Sequence, residues 1–185
     1  MKYLKKIKFK DLQKLILKEN YLSDITILEN IKFYKLEILD LSNNKISKIN
    51  VLEKLNFKNL KELYLNNNNI SDIKVLEKVK FEKLEILNLR SNKISEINIL
   101  EKVNFNELKQ LYLSYNDISK MEVFEKVNFE KLEILTLGNN EISYYNILER
   151  VNFKYLKELF LFKISISNIN ELENYKFEQL EILSL

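Results

Sequence analysis

The chain has 185 residues, and its 30 Lys and Arg residues nearly balance its 27 Asp and Glu residues, for a formal net charge of +3. This weak charge argues against a nucleic-acid partner. Cys and His are both absent, which excludes disulfide bonds and thiolate metal sites and removes the commonest general base and metal ligand. We therefore expect no cofactor and no bound metal.

The N-terminal segment, residues 1–11, is dominated by lysine. Five of the first ten residues are Lys, which interrupt the segment too often for a signal peptide, and no apolar run in the chain approaches the length of a membrane span. These features predict a cytoplasmic protein without membrane insertion, with secretion by another route left open. The rest of the chain is built of sequence repeats, described below, and Leu4, Ile7 and Phe9 align with the positions of those repeats that are predicted to face inward. We therefore predict that residues 1–11 form a partial coil acting as a cap.

From residue 12 onward the chain repeats with a period of 24 residues. When the leading Leu of each repeat is position 1, Leu also fills positions 4 and 6 in all eight copies, Asn fills position 9 in the first six, and Phe fills position 22 in the seven complete copies. We predict seven complete repeats across residues 12–179 and a truncated eighth across residues 180–185. The leading leucines are Leu12, Leu36, Leu60, Leu84, Leu108, Leu132, Leu156 and Leu180.

The first half of each repeat predicts a short β-strand. Leu at positions 4 and 6, with variable residues between, gives the alternation of a strand with one buried face. One short strand cannot bury this face alone, so successive repeats must stack. Each repeat then forms one coil of a solenoid, and the strands of neighbouring coils lie ~4.8 Å apart in a parallel sheet. The Asn that follows at position 9, such as Asn92, is expected to be buried and to bond the backbone of the next coil.

The second half of each repeat predicts a short helical turn. Apolar residues at positions 14, 17 and 20, such as Ile97, Leu100 and Val103, fit one turn that faces inward. Phe at position 22 is expected to close the core under the return to the sheet. Asn or Thr at position 15, followed by Glu three residues later, resembles a capping box.

The run LxxLxLxxNxIS recurs in fixed register over nearly the whole chain and resembles the leucine-rich repeat family. It is most similar to the internalin-type and phosphatase-regulator-type repeats, which share the NxISxI run but are about two residues shorter. The resemblance implies an α/β solenoid, a right-handed horseshoe with a concave parallel β-sheet and short helical turns on the convex side. In this family the concave face usually binds protein partners.

Positions 3, 5, 7 and 8 are predicted to point into the concavity, and positions 3 and 5 follow a second period of 48 residues. Repeats with Ile at position 3 and a small polar residue at position 5 alternate with repeats that carry Glu or Gln and an aromatic ring. Two compatible explanations are that rings on adjacent strands would crowd, and that an exposed aromatic stripe marks a partner site. The candidate partner-binding residues are Ile38, Asp40, Tyr64, Ile86, Asn88, Arg90, Tyr112, Tyr115, Ile134, Phe160 and Phe162.

Two further features of the repeats concern single positions. Position 2 alternates between Glu and Lys, as in Glu85 and Lys109, and pairing between coils is predicted to control register and not to bind a substrate. In the seventh repeat Ile164 replaces the Asn of position 9, close to Phe160 and Phe162. Either the repeat decays near the end of the array, or this coil is specialised to present an apolar patch.

The sequence contains no nucleophile–base pair, phosphate-binding glycine loop or metal cluster, so we do not expect an enzyme. It predicts a non-catalytic scaffold that binds a protein partner, of unknown identity, through the concave face. The alternative is a structural, self-assembling protein, or an adaptor fragment of a longer repeat protein, that associates through the edge formed by residues 180–185.

Overall fold

A computed structural model describes residues 9–143, 146–163 and 173–185 of the chain. Eight short strands form one parallel sheet and follow one another in chain order. Each strand pairs with the next in a register of 24 residues, so that Leu39 lies opposite Leu63 and Leu63 opposite Leu87. The strands are β1 (Lys14–Ile16), β2 (Ile38–Asp40), β3 (Glu62–Tyr64), β4 (Ile86–Asn88), β5 (Gln110–Tyr112), β6 (Ile134–Thr136), β7 (Glu158–Phe160) and β8 (Ile182–Ser184).

Short 3₁₀ turns connect the strands on the far side of each coil, where the sequence predicts one helical turn. They are Thr26–Asn30, Asn50–Lys54, Lys74–Glu77, Asn98–Lys102, Glu122–Glu125 and Asn146–Glu149. The predicted capping box is wrong for the turns that begin at Thr26, Asn50 and Asn98, because the residue before each of them is Ile and makes no side-chain cap. Where position 13 is Asp, its carboxylate caps instead: Asp24 accepts the Thr26 N–H at 2.8 Å and Asp72 accepts the Lys74 N–H at 2.9 Å.

The core lies between the sheet and the 3₁₀ turns. The Leu residues of positions 1, 4 and 6 are fully buried from the second coil to the seventh, as are Phe57, Phe81 and Phe105 of position 22. Burying each such side chain contributes roughly 1.5–3 kcal/mol. The predictions that Leu forms the inner face of the sheet and that Phe closes the core are therefore confirmed.

A ladder of Asn side chains joins the coils where the chain leaves the sheet. Asn116 is buried; its Oδ1 accepts the Ile94 N–H at 3.0 Å, and its Nδ2 donates to the carbonyls of Leu89 and Leu113, both at 3.0 Å. Burial of the Asn row is confirmed for Asn44, Asn68 and Asn116, whereas Asn92 and Asn140 are half-buried and Asn20 is exposed. The predicted direction is wrong, because the bonds reach the preceding coil and not the next one. The residue before each Asn has a left-handed backbone, as at Tyr115 with a φ of 59°, and the chain turns there.

The two ends of the sheet differ from its centre. On β8, Leu183 is 38% exposed and Leu185 beside it 42%, whereas Leu159 and Leu161 of the preceding coil are fully buried.

Two features predicted from the sequence lie outside the described residues. The predicted cap falls mostly on residues 1–8, and the other feature is Ile164. Within the described part of the chain, no helix is long and apolar enough to span a membrane.

Candidate partner-binding face

The sheet face opposite the core carries all of the candidate residues that lie on strands. In β3 the central Leu63 is buried, whereas Glu62 and Tyr64 on either side of it are half-buried and project from the other face. The same alternation holds in β2, β4, β5 and β7. We call this surface, made by positions 3, 5, 7 and 8 of each coil, the concave face.

Two Tyr rings of the concave face are fixed by acceptors on their own strands. The Tyr64 hydroxyl donates to Glu62 Oε2 at 2.8 Å, and the Tyr112 hydroxyl donates to Gln110 Oε1 at the same distance. Burial of Tyr64 is the larger cause, and its bond to Glu62 the smaller one, that holds the pKa of Tyr64 well above its ordinary value. Both rings are therefore neutral and oriented, an arrangement that the 48-residue period alone does not predict.

Two of the small polar candidates also support the backbone. Asp40 Oδ1 accepts both the N–H and the hydroxyl of Ser42, at 2.9 and 2.6 Å. Asn88 Oδ1 accepts the Arg90 N–H at 3.1 Å. These bonds stabilise the turn that follows the strand, so Asp40 and Asn88 have structural roles whether or not they meet a partner.

Beyond the ends of the strands, the candidates Arg90, Tyr115 and Phe162 lie in a row on separate coils, together with Gly138. We call these four residues the rim cluster. The Arg90 guanidinium lies over the Tyr115 ring, 4.3 Å from its centroid, and the Tyr115 and Phe162 centroids are 5.9 Å apart. Phe162 in turn covers Gly138, where an added Cβ would lie 2.7 Å from the Phe162 ring. Sequence analysis missed Gly138, although it is the only Gly in the chain.

Around these rings, three buried polar atoms have no hydrogen-bond partner within the described residues. They are Ser114 Oγ, Thr136 Oγ1 and Asn139 Nδ2. Thr136 lies opposite Tyr112 on one neighbouring strand and opposite Phe160 on the other. Ser114 and Asn139 occupy positions 7 and 8 of their coils, the rows that also supply Phe162 and Tyr115. Nothing in the repeat pattern indicates that these groups would be left unpaired.

The alternating Glu and Lys residues of position 2 lie at the end of the sheet where the strands begin, opposite the rim cluster. Lys61 pairs with Glu37 at 2.9 Å and Lys109 pairs with Glu85 at 2.7 Å. These bonds raise the pKa of both lysines, and the one to Lys61 lowers the pKa of Glu37. Pairing between adjacent coils is thus confirmed, which leaves these carboxylates engaged. No group of three or more potential metal-ligating residues occurs in the part of the chain that the structure describes.

Two models of sequence families match the repeats. The one described as "Leucine Rich repeats (2 copies)" matches residues 58–102, and the one described as "Leucine Rich Repeat" matches residues 35–56. The eight parallel strands, the 3₁₀ turns and the Asn ladder give the same assignment over the wider chain. Residues 35–56 and 58–102 are leucine-rich repeats, and the chain as a whole has the horseshoe solenoid fold of that family.

Solved structures share this fold. An internalin from Listeria monocytogenes matches with a TM-score of 0.75 and 24% identity, covering 94% of this chain and 47% of its own. A leucine-rich repeat protein from Leptospira interrogans matches with a TM-score of 0.72 and 24% identity, covering 94% and 45%. The chain therefore spans about half the length of these two proteins.

A third match is a plant receptor. The leucine-rich repeat ectodomain of the membrane receptor kinase GASSHO1/SCHENGEN3 from Arabidopsis thaliana, solved in complex with CASPARIAN STRIP INTEGRITY FACTOR 2, has a TM-score of 0.63 and 24% identity. It covers 85% of this chain and 19% of its own. Likeness at these identities shows the fold alone. No curated protein matches the chain in sequence.

Proposed function

We propose that this protein is a non-catalytic scaffold that binds a protein partner through its concave face. Leucine-rich repeat proteins commonly mediate protein–protein interaction, and the plant ectodomain above was solved with a bound factor. That analogy concerns the fold, so the choice of face must rest on this chain's own residues. The observation that carries it is the concentration of Tyr112, Tyr115, Phe160 and Phe162 on one side of the sheet, in the fifth and seventh coils.

The unpaired polar atoms near these rings support a binding role. Leaving a buried donor or acceptor unsatisfied costs about 1–3 kcal/mol, and Ser114, Thr136 and Asn139 each leave one unpaired among the described residues. Departures of this kind are expected where a surface serves recognition.

The rings also suit an interface because they are already ordered. Aromatic residues are enriched among the side chains that dominate binding energy. Tyr64 and Tyr112 are held by hydrogen bonds, and Phe162 packs against Tyr115 and Gly138. Such side chains lose little conformational freedom when a partner binds, which lowers the entropic cost of association.

The proposal is tested by capture from a lysate of the source organism. A variant with Tyr64, Tyr112 and Phe160 replaced by Ala is expected to lose the partner that wild type retains. The control replaces Lys78, Lys102 and Lys126 with Ala; these residues lie on the convex side, and the control should retain the partner. Circular dichroism must first show that both variants are folded. Loss in the convex control with retention in the concave variant would assign binding to the 3₁₀ turns.

A second candidate is association through β8. Leu183 and Leu185 are partly exposed, although the equivalent residues of the second to seventh coils are buried. In the 185-residue chain, the edge of β8 beside these leucines is a template for pairing with another chain. We expect light scattering to show association that rises with protein concentration, and a strictly monomeric chain at high concentration would contradict it. The domain bounds, the cytoplasmic location and the internalin-type or phosphatase-regulator-type subclass stay predictions.

A further inference from the structure

One carboxylate of the concave face lacks the partner that its equivalents have. Position 3 of the third, fifth and seventh coils holds Glu62, Gln110 and Glu158. The first two accept a hydroxyl bond from the Tyr two residues later, at 2.8 Å in each case. In the seventh coil that residue is Phe160, which has no hydroxyl, so the acceptor of Glu158 is left open.

The surroundings of Glu158 supply no substitute. Its strand neighbours in register are Ile134 and Ile182, which offer no donor. Lys157, the adjacent cation, is engaged with Glu133 at 3.0 Å. Within the described residues the Glu158 carboxylate makes no hydrogen bond or ion pair, and it is half-buried. The carboxylate is therefore free to accept a hydrogen bond from a partner.

Glu158 shares its face of the sheet with two aromatic rings, Phe160 and Tyr112. Phe160 follows it two residues later on the same strand, and Tyr112 is near enough on the other side for the charge of Glu158 to add to the effect of burial in raising the pKa of Tyr112. Rings attract cations over their faces. The same concave face already holds one such contact, between Arg90 and Tyr115 at 4.3 Å from the ring centroid.

We propose that Glu158, Phe160 and Tyr112 form a recognition site for a basic side chain, Arg or Lys, carried by the partner protein. The carboxylate accepts the charge-assisted hydrogen bond while the ring faces pack against the cation's stem and head. The inference rests on the proposed function, since it names which chemistry the concave face selects. Charge complementarity identifies the occupant, because within the described residues the Glu158 carboxylate has no cationic partner.

The test is a selection from a phage library of random short peptides on immobilised protein. Wild type is expected to enrich peptides with Arg or Lys at one fixed place in the selected pattern. Two variants should weaken the binding of such a peptide by about tenfold, the loss of one charge-assisted hydrogen bond. They are Glu158→Gln, which removes the charge, and Phe160→Tyr, which restores a hydroxyl to occupy Glu158 while keeping the ring. The matched control is Glu130→Gln, which removes an exposed carboxylate that does not lie on the concave face, and it should bind as wild type does.

The outcomes separate this inference from the proposed function. If the selected peptides lack a basic residue but still require Tyr112 and Phe160 for binding, the Glu158 site is overturned and the concave face is still the binding surface. Peptides whose binding survives the triple Ala variant of Tyr64, Tyr112 and Phe160 would overturn both. A selection that enriches no peptide, or a basic peptide that Glu158→Gln and Phe160→Tyr bind as wild type does, also counts against the Glu158 site.

Discussion

Replacing Asn116 with Ala is expected to destabilise the protein by about 2–3 kcal/mol, because it leaves a buried backbone group unpaired. The Oδ1 of Asn116 is the acceptor for the Ile94 N–H, and Ile94 is fully buried. The two carbonyls that Asn116 shares are less affected, since Leu89 O also accepts from Asn92 and Leu113 O also accepts from Asn140. The measurement is the urea denaturation midpoint of the variant against wild type.

The control for this experiment needs an Asn outside the ladder and with an ordinary backbone. Asn69 is exposed and does not have a positive φ, so Asn69→Ala should change the midpoint little. Asn67 is less suitable because its φ of 55° strains an Ala at that site for a different reason. Equal midpoints for the Asn116 and Asn69 variants would show that the ladder does not stabilise the stacked coils.

The sequence predicts the backbone of this protein well because one spacing determines it. Each Leu of positions 4 and 6 must face the core, and a one-residue shift in register would expose it. With the period fixed at 24 residues, Leu63 can only lie beside Leu39 and Leu87, and the structure has this register. The same logic holds for Phe81, since a large ring at a constant position has one buried site per coil.

The side chains of the concave face are less predictable because the period does not determine their rotamers. Periodicity places Tyr64 next to Glu62, but the hydrogen bond between them depends on the torsion angles of both. The contact of Phe162 with Gly138 joins two coils at positions where the other coils have different residues. A single glycine in 185 residues was the available signal, and a search for space-demanding neighbours one period away would have found Phe162.

The Asn ladder also clarifies the question that Ile164 raises. From the second coil to the sixth, the Asn Oδ1 accepts from a backbone N–H 22 residues earlier and its Nδ2 donates to a carbonyl 27 residues earlier. An Asn at position 164 would by this rule serve Ile142 and Leu137. An Ile side chain can make neither of these hydrogen bonds, and the position follows closely on the rim cluster. Decay of the repeat near the end of the array and specialisation of this coil are the two explanations.

Truncating Phe162 to Ala is expected to weaken partner binding by about 30-fold or more, since loss of a central aromatic anchor commonly costs ~2 kcal/mol or more. Phe162 is half-buried, packs against Tyr115 and covers Gly138, so its ring contacts two other members of the rim cluster. Tyr64→Ala should weaken binding less, because Tyr64 lies two coils before Tyr112, outside the part of the sheet where the aromatic residues concentrate. The measurement is the dissociation constant of the captured partner for each variant.

Gly138→Ala offers a second way to disturb the same ring without removing it. The added methyl group would lie 2.7 Å from Cγ of Phe162, closer than carbon atoms approach, so the ring must leave its place against Tyr115. We expect binding to weaken together with a loss of about 1–3 kcal/mol in the free energy of unfolding, the usual cost of overpacking. Tyr34→Ala, which removes an exposed ring that does not lie on the sheet, is the matched control and should leave the dissociation constant unchanged. If Tyr34→Ala weakened binding while Phe162→Ala and Gly138→Ala did not, the partner would have to bind outside the concave face.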